Sequence, residues 1–208
     1  MMTESQNEQK RLTILLPAGR LPRPVMAKAL ELAERYDLEV YLSTAQNLRL
    51  MGLDDEQLAA ARAELAPLGV DFKGPGKFPI PRVCIGPRDC NLGVRDPAEL
   101  SARLLAHFQD KGEFKPKLKI AISGCPMCCP GVKTTDIGIM GTKKGFEVYA
   151  GGKGGPNPVV GRRIARELDA AGVVEIVERL IAYHDRKTTK KQRLARLLAE
   201  PDFPFPEI

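Results

Sequence analysis

Short apolar runs alternate with amphipathic stretches along the chain, and the period shifts between strand-like and helix-like. Arg11-Leu12-Thr13-Ile14-Leu15-Leu16 reads as a strand closed by Pro17-Ala18-Gly19-Arg20. Over 24–36, Val25, Met26, Ala29, Leu30, Leu32 and Ala33 recur at helical spacing behind Pro24, which suits a first turn. Residues 39–43 predict a second strand and 48–51 a short third one, with Thr44-Ala45-Gln46-Asn47 as the polar interruption. Asp54 or Asp55 caps a helix over 55–67, and Gly69 lies just past its end. This order, βαββα, predicts a ferredoxin-like half-domain over 11–75, behind a polar, disordered start at 1–10.

Residues 71–82 are rich in Gly and Pro and read as a linker into a second lobe, spanning 80–157. In that lobe Asp96-Pro97 starts a helix whose buried stripe is Leu100, Leu104, Leu105 and Phe108. Residues 117–123 alternate like a strand. Residues 137–141 and 145–149 form a hairpin through Thr142-Lys143-Lys144, followed by the turn Gly151-Gly152-Lys153-Gly154-Gly155-Pro156. Beyond 158 the pattern predicts helices at 160–171, 173–185 and 188–199 and a Pro-rich tail to 208. The fold class is α+β.

The chemistry is concentrated in cysteines. Cys84 and Cys90 form one pair, Cys125 and Cys129 a second, and Cys128 is wedged inside the second pair. Both pairs sit among Gly and Pro, in Cys84-Ile85-Gly86-Pro87-Arg88-Asp89-Cys90 and Ser123-Gly124-Cys125-Pro126-Met127-Cys128-Cys129-Pro130-Gly131. Tight loops of this kind let several sulfurs and backbone N–H groups converge on one cofactor. Four thiolates are what an iron–sulfur cluster requires. Disulfides fit less well: the cysteine total of five is odd, and the opening residues carry no apolar signal, which points to the cytoplasm and reduced thiols. Structural zinc favours closer spacings, often with histidine, and His107 and His184 lie in helical stretches away from the cysteines.

Composition narrows the partners. The net charge of +6 is concentrated in the tail Arg186-Lys187-Thr188-Thr189-Lys190-Lys191-Gln192-Arg193, which reads as a solvated helix face. Aromatics are only 5% with no Trp, too few to stack bases, so nucleic acid is not the expected partner. No apolar run approaches the roughly 18 residues of a membrane span. A positive field suits anions: a polycarboxylate cofactor, an oxyanion or an acidic electron donor.

From Cys84 to Pro156 the chain resembles the siroheme- and cluster-containing repeat of sulfite and nitrite reductases. The matching elements are Cys-x5-Cys, a helix, a strand, Ser-Gly-Cys-Pro-x-x-Cys, then Asp136-Ile137-Gly138 and the Gly151–Gly155 turn. The first lobe resembles the family as well, through Leu42-Ser43-Thr44-Ala45-Gln46-Asn47-Leu48, and so does the tail around Lys190-Lys191-Gln192-Arg193-Leu194. The resemblance implies a 4Fe–4S cluster on Cys84, Cys90, Cys125 and Cys129, with Cys129 also bridging to the iron of siroheme. It implies a reductase of sulfite to sulfide or nitrite to ammonia, fed by a ferredoxin-like electron donor, of the small single-copy, assimilatory sulfite reductase type. Gln46, Asn47, Arg82, Lys133 and Lys153 are the candidates to hold the carboxylates of siroheme. Each also has a plainer reading, as a turn residue or a solvated charge, and Cys128 reads as a buried spectator or as a competitor of Cys129 for the ligand position.

The chain also departs from that pattern. Longer family members are duplicated, and this chain resembles the cysteine-bearing half alone. The arginine often found in the family's Thr-x-Arg-Gln turn is Ala45 here. A second copy, a partner subunit or differently placed cations would complete such a site. The alternative is a cluster protein that carries electrons, with or without a tetrapyrrole, and does not turn over substrate.

Overall fold

The structure is a computed structural model and describes residues 10–189 and 192–208. The chain divides into two compact units, Met1–Gly74 and Pro75–Ile208. The expected irregular start lies outside the described residues except for Lys10, which opens the first strand. No helix among the described residues is long and apolar enough to cross a membrane.

The first unit runs β1 (Lys10–Leu15), α1 (Arg23–Tyr36), β2 (Glu39–Leu42), β3 (Leu48–Leu53), α2 (Asp55–Leu65) and β4 (Asp71–Phe72). The strands pair antiparallel in the order β2-β3-β1-β4. Strand alternation sends Leu12, Ile14, Leu48 and Leu50 to one face, where they pack on Val25, Ala29 and Leu32 of α1 and Ala61 and Leu65 of α2. Asp54 caps α2 through a reciprocal box: its carboxylate accepts from Gln57 N–H, and Gln57 Oε1 accepts from Asp54 N–H. Strand β4 falls inside the stretch expected to be linker. It is only two residues long and gains its strand character from pairing with Ile14 and Leu15, a partner that local composition does not reveal.

The second unit holds β5 (Arg82–Val83), α3 (Pro97–Phe108), β6 (Ile120–Ser123), β7 (Ile137–Thr142), β8 (Gly145–Ala150), β9 (Arg162–Leu168) and α4 (Ala170–Lys187). Its sheet follows that order; β5, β6 and β7 are parallel, and β8 and β9 antiparallel. One face, with Ile120, Ile122, Ile137, Ile139 and Val148, packs under Leu100, Leu104 and Phe108 of α3 and Val173, Val177 and Leu180 of α4. Parallel strands need a crossover, and the one between β6 and β7 carries the second cysteine loop across the opposite face. There Val132 packs on Ala121, Met140 and Tyr149. Gly138 makes this possible: a Cβ at that position would lie 2.1 Å from the Val132 carbonyl oxygen.

Two C-terminal expectations are corrected. Residues 160–171 do not form a helix; Arg162–Leu168 is the edge strand β9, paired with β8. Ile164, Ala165 and Leu168 fit a helical stripe as well as a strand, and pairing with an open sheet edge decides between them. The helix expected over 173–185 is present as α4, capped by Asp169. The helix expected over 188–199 is replaced by a 3₁₀ turn at Leu194–Arg196, while Lys190 and Lys191 lie outside the described residues. The Leu194 N–H and the Arg193 side chain are instead taken up by Asp136.

Candidate functional site

The two cysteine loops leave the same end of two hydrogen-bonded parallel strands. Cys84 directly follows β5, and its N–H donates to the Ile122 carbonyl of β6 at 3.2 Å; Cys125 comes two residues after β6 ends at Ser123. Gly124 ties the loops together. Its N–H donates to Cys84 Sγ at 3.1 Å, and its carbonyl accepts from Val94 N–H at 2.9 Å and Arg95 N–H at 3.1 Å. A Cβ on Gly124 would stand 2.6 Å from the Arg95 carbonyl oxygen and 3.3 Å from Gly86 Cα, so only glycine allows this approach. The first loop closes through Gly93 N–H to the Cys90 carbonyl at 3.0 Å, and Ser123 Oγ donates to the Cys125 carbonyl at 2.9 Å.

Cys125 is buried, Cys84, Cys90 and Cys128 are half-buried, and Cys129 is exposed. Cys128 turns away from the loop surface. Its φ of +60° puts it in the left-handed region, its Sγ lies 3.8 Å from Met140 Sδ, and it packs against the Ala121, Val132, Met140 and Tyr149 cluster. Among the described residues no three His, Cys, Asp or Glu side chains are gathered as a single-ion site. A cluster of four irons spreads its thiolates more widely than one ion does. The fit to a cluster rests on the donor set, four soft thiolates, and on two loops bonded to each other.

Arg82, Lys133 and Lys153 share one neighbourhood in this unit. Arg82 pairs with Ala121 in register and so points to the face away from the helices. Its Nη2 donates to Thr135 Oγ1 at 2.7 Å, and Thr135 Oγ1 donates in turn to the Gly131 carbonyl at 2.7 Å. Burial, and then the like charge of Arg193, hold the Arg82 guanidinium below its ordinary pKa; no carboxylate offsets them. Lys133 Nζ stands 5.5 Å over the Tyr149 ring, and its carbonyl accepts from Gly161 N–H at 2.8 Å. Gly152 packs on the backbone of Lys133 and Thr135, and Lys153 exchanges backbone hydrogen bonds with Val159 at 2.9 and 2.7 Å.

Gln46 and Asn47 belong to the first unit, in the β2–β3 turn. Gln46 has φ +61° and its N–H donates to the Ser43 carbonyl at 2.9 Å; Asn47 N–H donates to Ser43 Oγ at 3.1 Å. Asn47 is buried, and its Oδ1 has no hydrogen-bond partner.

Sequence reasoning did not assign Asp136 or Arg193. Asp136 is fully buried; Oδ1 accepts from Arg193 Nε at 2.7 Å and from Leu194 N–H at 3.1 Å, and Oδ2 accepts from Lys119 N–H at 3.0 Å. Burial pushes this carboxyl up from the ordinary range, against the pull of Arg193. Arg193 Nη2 also reaches the Gly152 carbonyl at 3.4 Å, tying the tail to the glycine-rich turn. Arg193 is therefore no solvated tail charge. The visible signals were an Asp-Ile-Gly tripeptide and a basic run, with nothing local to pair them.

Known proteins agree with this architecture. Residues 80–203 match the family described as nitrite and sulphite reductase 4Fe-4S domain, and residues 5–68 match the nitrite/sulfite reductase ferredoxin-like half domain. A nitrite reductase [NAD(P)H] large subunit from Klebsiella oxytoca is 33% identical over 166 residues, which are 78% of this chain and 17% of that protein. An assimilatory-type sulfite reductase from Nitratidesulfovibrio vulgaris is 25% identical over 183 residues, covering 88% of this chain and 83% of that protein. The solved structure of the Mycobacterium tuberculosis NirA protein superposes with a TM-score of 0.74 at 20% identity, over 92% of this chain and 38% of that one. The first unit has an antiparallel sheet and the second carries its paired cysteines on loops that leave adjacent strands, and the chain belongs to the nitrite and sulphite reductase family.

Proposed function

We propose that this protein is a reductase that uses a 4Fe–4S cluster and siroheme to convert sulfite to sulfide or nitrite to ammonia. The observation that carries the reading is the Gly124 N–H bond to Cys84 Sγ, which joins two cysteine loops on adjacent parallel strands. Cys84, Cys90, Cys125 and Cys129 are the cluster ligands. Cys129 is the exposed member of the set and would be the one to hold the siroheme iron as well. The Cys128 sulfur lies 3.8 Å from Met140 Sδ, which supports reading Cys128 as a spectator.

Arg82, Lys133 and Lys153, neighbours within the second unit, would supply cations for the carboxylates of siroheme. Bound together, the cofactors would supply one-electron delivery and an iron able to bind an oxyanion. The protein's own part is to keep the ligands reduced and positioned, to hold carboxylates with fixed cations, and to attract an anionic substrate. Electrons come from a ferredoxin-like donor, and the compartment that keeps five thiols reduced is the cytoplasm.

Anaerobically purified protein is expected to show siroheme absorption bands, iron in excess of the cluster's four, and donor-linked consumption of sulfite or nitrite. Protein carrying both cofactors but inert toward both anions would leave the electron-carrier reading, which Ala45 in the cation-free turn favours. A cluster shoulder without tetrapyrrole bands would remove siroheme from the proposal.

A further inference from the structure

Strand β2 lies at one edge of the first unit's sheet and pairs only with β3 among the described residues. Ser43 N–H donates to the Asn47 carbonyl, which makes that couple a hydrogen-bonded pair, and antiparallel bonding alternates from there along the strand. Tyr41 and Glu39 therefore spend their backbone groups on β3, while those of Val40 and Leu42 point to the open edge. All four residues of β2 are exposed, and Leu42 keeps 71% of its surface. The strand has no lysine, proline or bulge to guard it. The opposite edge is blunt by comparison: β4 is two residues long and runs into Lys73, Gly74 and Pro75.

Helix α1 adds to the same edge. Its Lys28 and Arg35 pair with Glu64 of α2, and at about 100° per residue Met26 and Leu30 fall on the opposite flank. Because α2 packs along β1 and α1 along β3, that flank overhangs β2. Met26 is 60% exposed and Leu30 56%. Val40 and Leu42 pair with Leu50 and Leu48, whose side chains face the helices, so all four apolar groups lie on one face. A contiguous apolar patch that stays exposed marks an interaction surface.

The strand's own pattern names the occupant. Asp37 and Glu39 put two negative charges at one end of β2, and Ser43, Thr44 and Ala45 leave the other end uncharged. A second β2 laid antiparallel, with Tyr41 opposite Tyr41, sets Val40 against Leu42, Glu39 against Ser43 and Asp37 against Ala45. Open backbone groups then meet open backbone groups, apolar side chains meet apolar ones, and no like charges face each other. We infer that β2 is a self-association edge: two copies of this chain join antiparallel through it into one continuous sheet, sealed on the helix face by Met26, Leu30, Val40 and Leu42. The inference uses the first unit alone and stands apart from the cofactor proposal. The patch is small beside a standard interface of about 800 Å² per partner, so the dimer is a weak one, with a dissociation constant of about 1–100 μM.

Sedimentation equilibrium of the full chain in reducing buffer, from about 1 to 200 μM, should show monomer and dimer exchanging. Leu42→Lys sets a charge into the seam opposite Val40 and should weaken association at least about 10-fold. Leu42 is exposed in the single copy, so its replacement leaves the fold intact; Leu30→Gln is the second probe if the lysine variant fails to fold. The register is read separately with Tyr41→Cys. Residues opposed in a non-hydrogen-bonded antiparallel pair stand about 4.5 Å apart at Cα, within disulfide range, so mild oxidation should trap this variant as a covalent dimer beyond any that wild type forms. Three results overturn the inference: a monomer at every concentration, a dimer that Leu42→Lys leaves unchanged, or a dimer that Tyr41→Cys does not trap.

Discussion

Replacing Asp136 by alanine should be among the most damaging single changes outside the cysteines. The carboxylate is fully buried and accepts three hydrogen bonds, from Arg193 Nε and from the backbone N–H groups of Leu194 and Lys119. Deletion leaves a largely buried guanidinium without its counter-charge and two backbone donors without acceptors. Breaking such a pair by removing one partner costs about 3–5 kcal/mol. For a protein of this size each kcal/mol lowers Tm by roughly 2–4 °C, so the fall is on the order of 6–20 °C. The reasoning makes a sharper claim through a double-mutant cycle with Arg193→Met. Most of the loss comes from the stranded charge, so Asp136→Ala/Arg193→Met should be more stable than Asp136→Ala alone. Urea unfolding of the four proteins, followed by far-UV circular dichroism, measures the coupling. A loss below about 1 kcal/mol in Asp136→Ala, or a double mutant with simply additive losses, would refute the account.

Gly124→Ala forces a methyl group to 2.6 Å from the Arg95 carbonyl oxygen; it should cost about 1–3 kcal/mol and lower the iron content of purified protein, measured by metal analysis. Cys128→Ala should keep the cluster's visible absorption, whereas Cys129→Ser should lose it or uncouple it from the tetrapyrrole; the reverse pattern would exchange their roles. Burial, then the hydrogen bond to Glu147 at 2.7 Å, pushes the Tyr149 phenol up to about 12. An acid raised in the folded state adds stability that is present below its unfolded pKa of about 10 and is lost as pH rises through 12. Phenolate absorbance should therefore show Tyr149 ionising only toward pH 12, with stability declining over that window; titration near 10 would contradict the burial argument.

The half-domain was legible because its strands and helices carry separate periods and its caps are local: Asp54 and Gln57 are three residues apart and bond to each other. The cysteines were legible as an iron–sulfur chemistry, in agreement with the matched 4Fe-4S domain, because they sit in two Gly/Pro loops. Strand β9 was not, because Ile164, Ala165 and Leu168 suit a helix equally and only the edge of β8 chooses between them. The Asp136–Arg193 pair joins residues 57 positions apart, and its cause is burial, which a sequence does not print.

With Cys84 as the cluster ligand proposed above, the Gly124 N–H bond to Cys84 Sγ would have an electronic consequence. A donor aimed at a ligating sulfur withdraws charge from it, and hydrogen bonds of this kind are one of the settings of a cluster's reduction potential. Because the donor is main chain, no side-chain substitution deletes it directly, and because residue 124 is hemmed in by Arg95 and Gly86, a larger residue there displaces it. On that ligation, the voltage at which the centre accepts an electron would be coupled to the close packing of two loops, so that loosening either one would detune it before unfolding the chain.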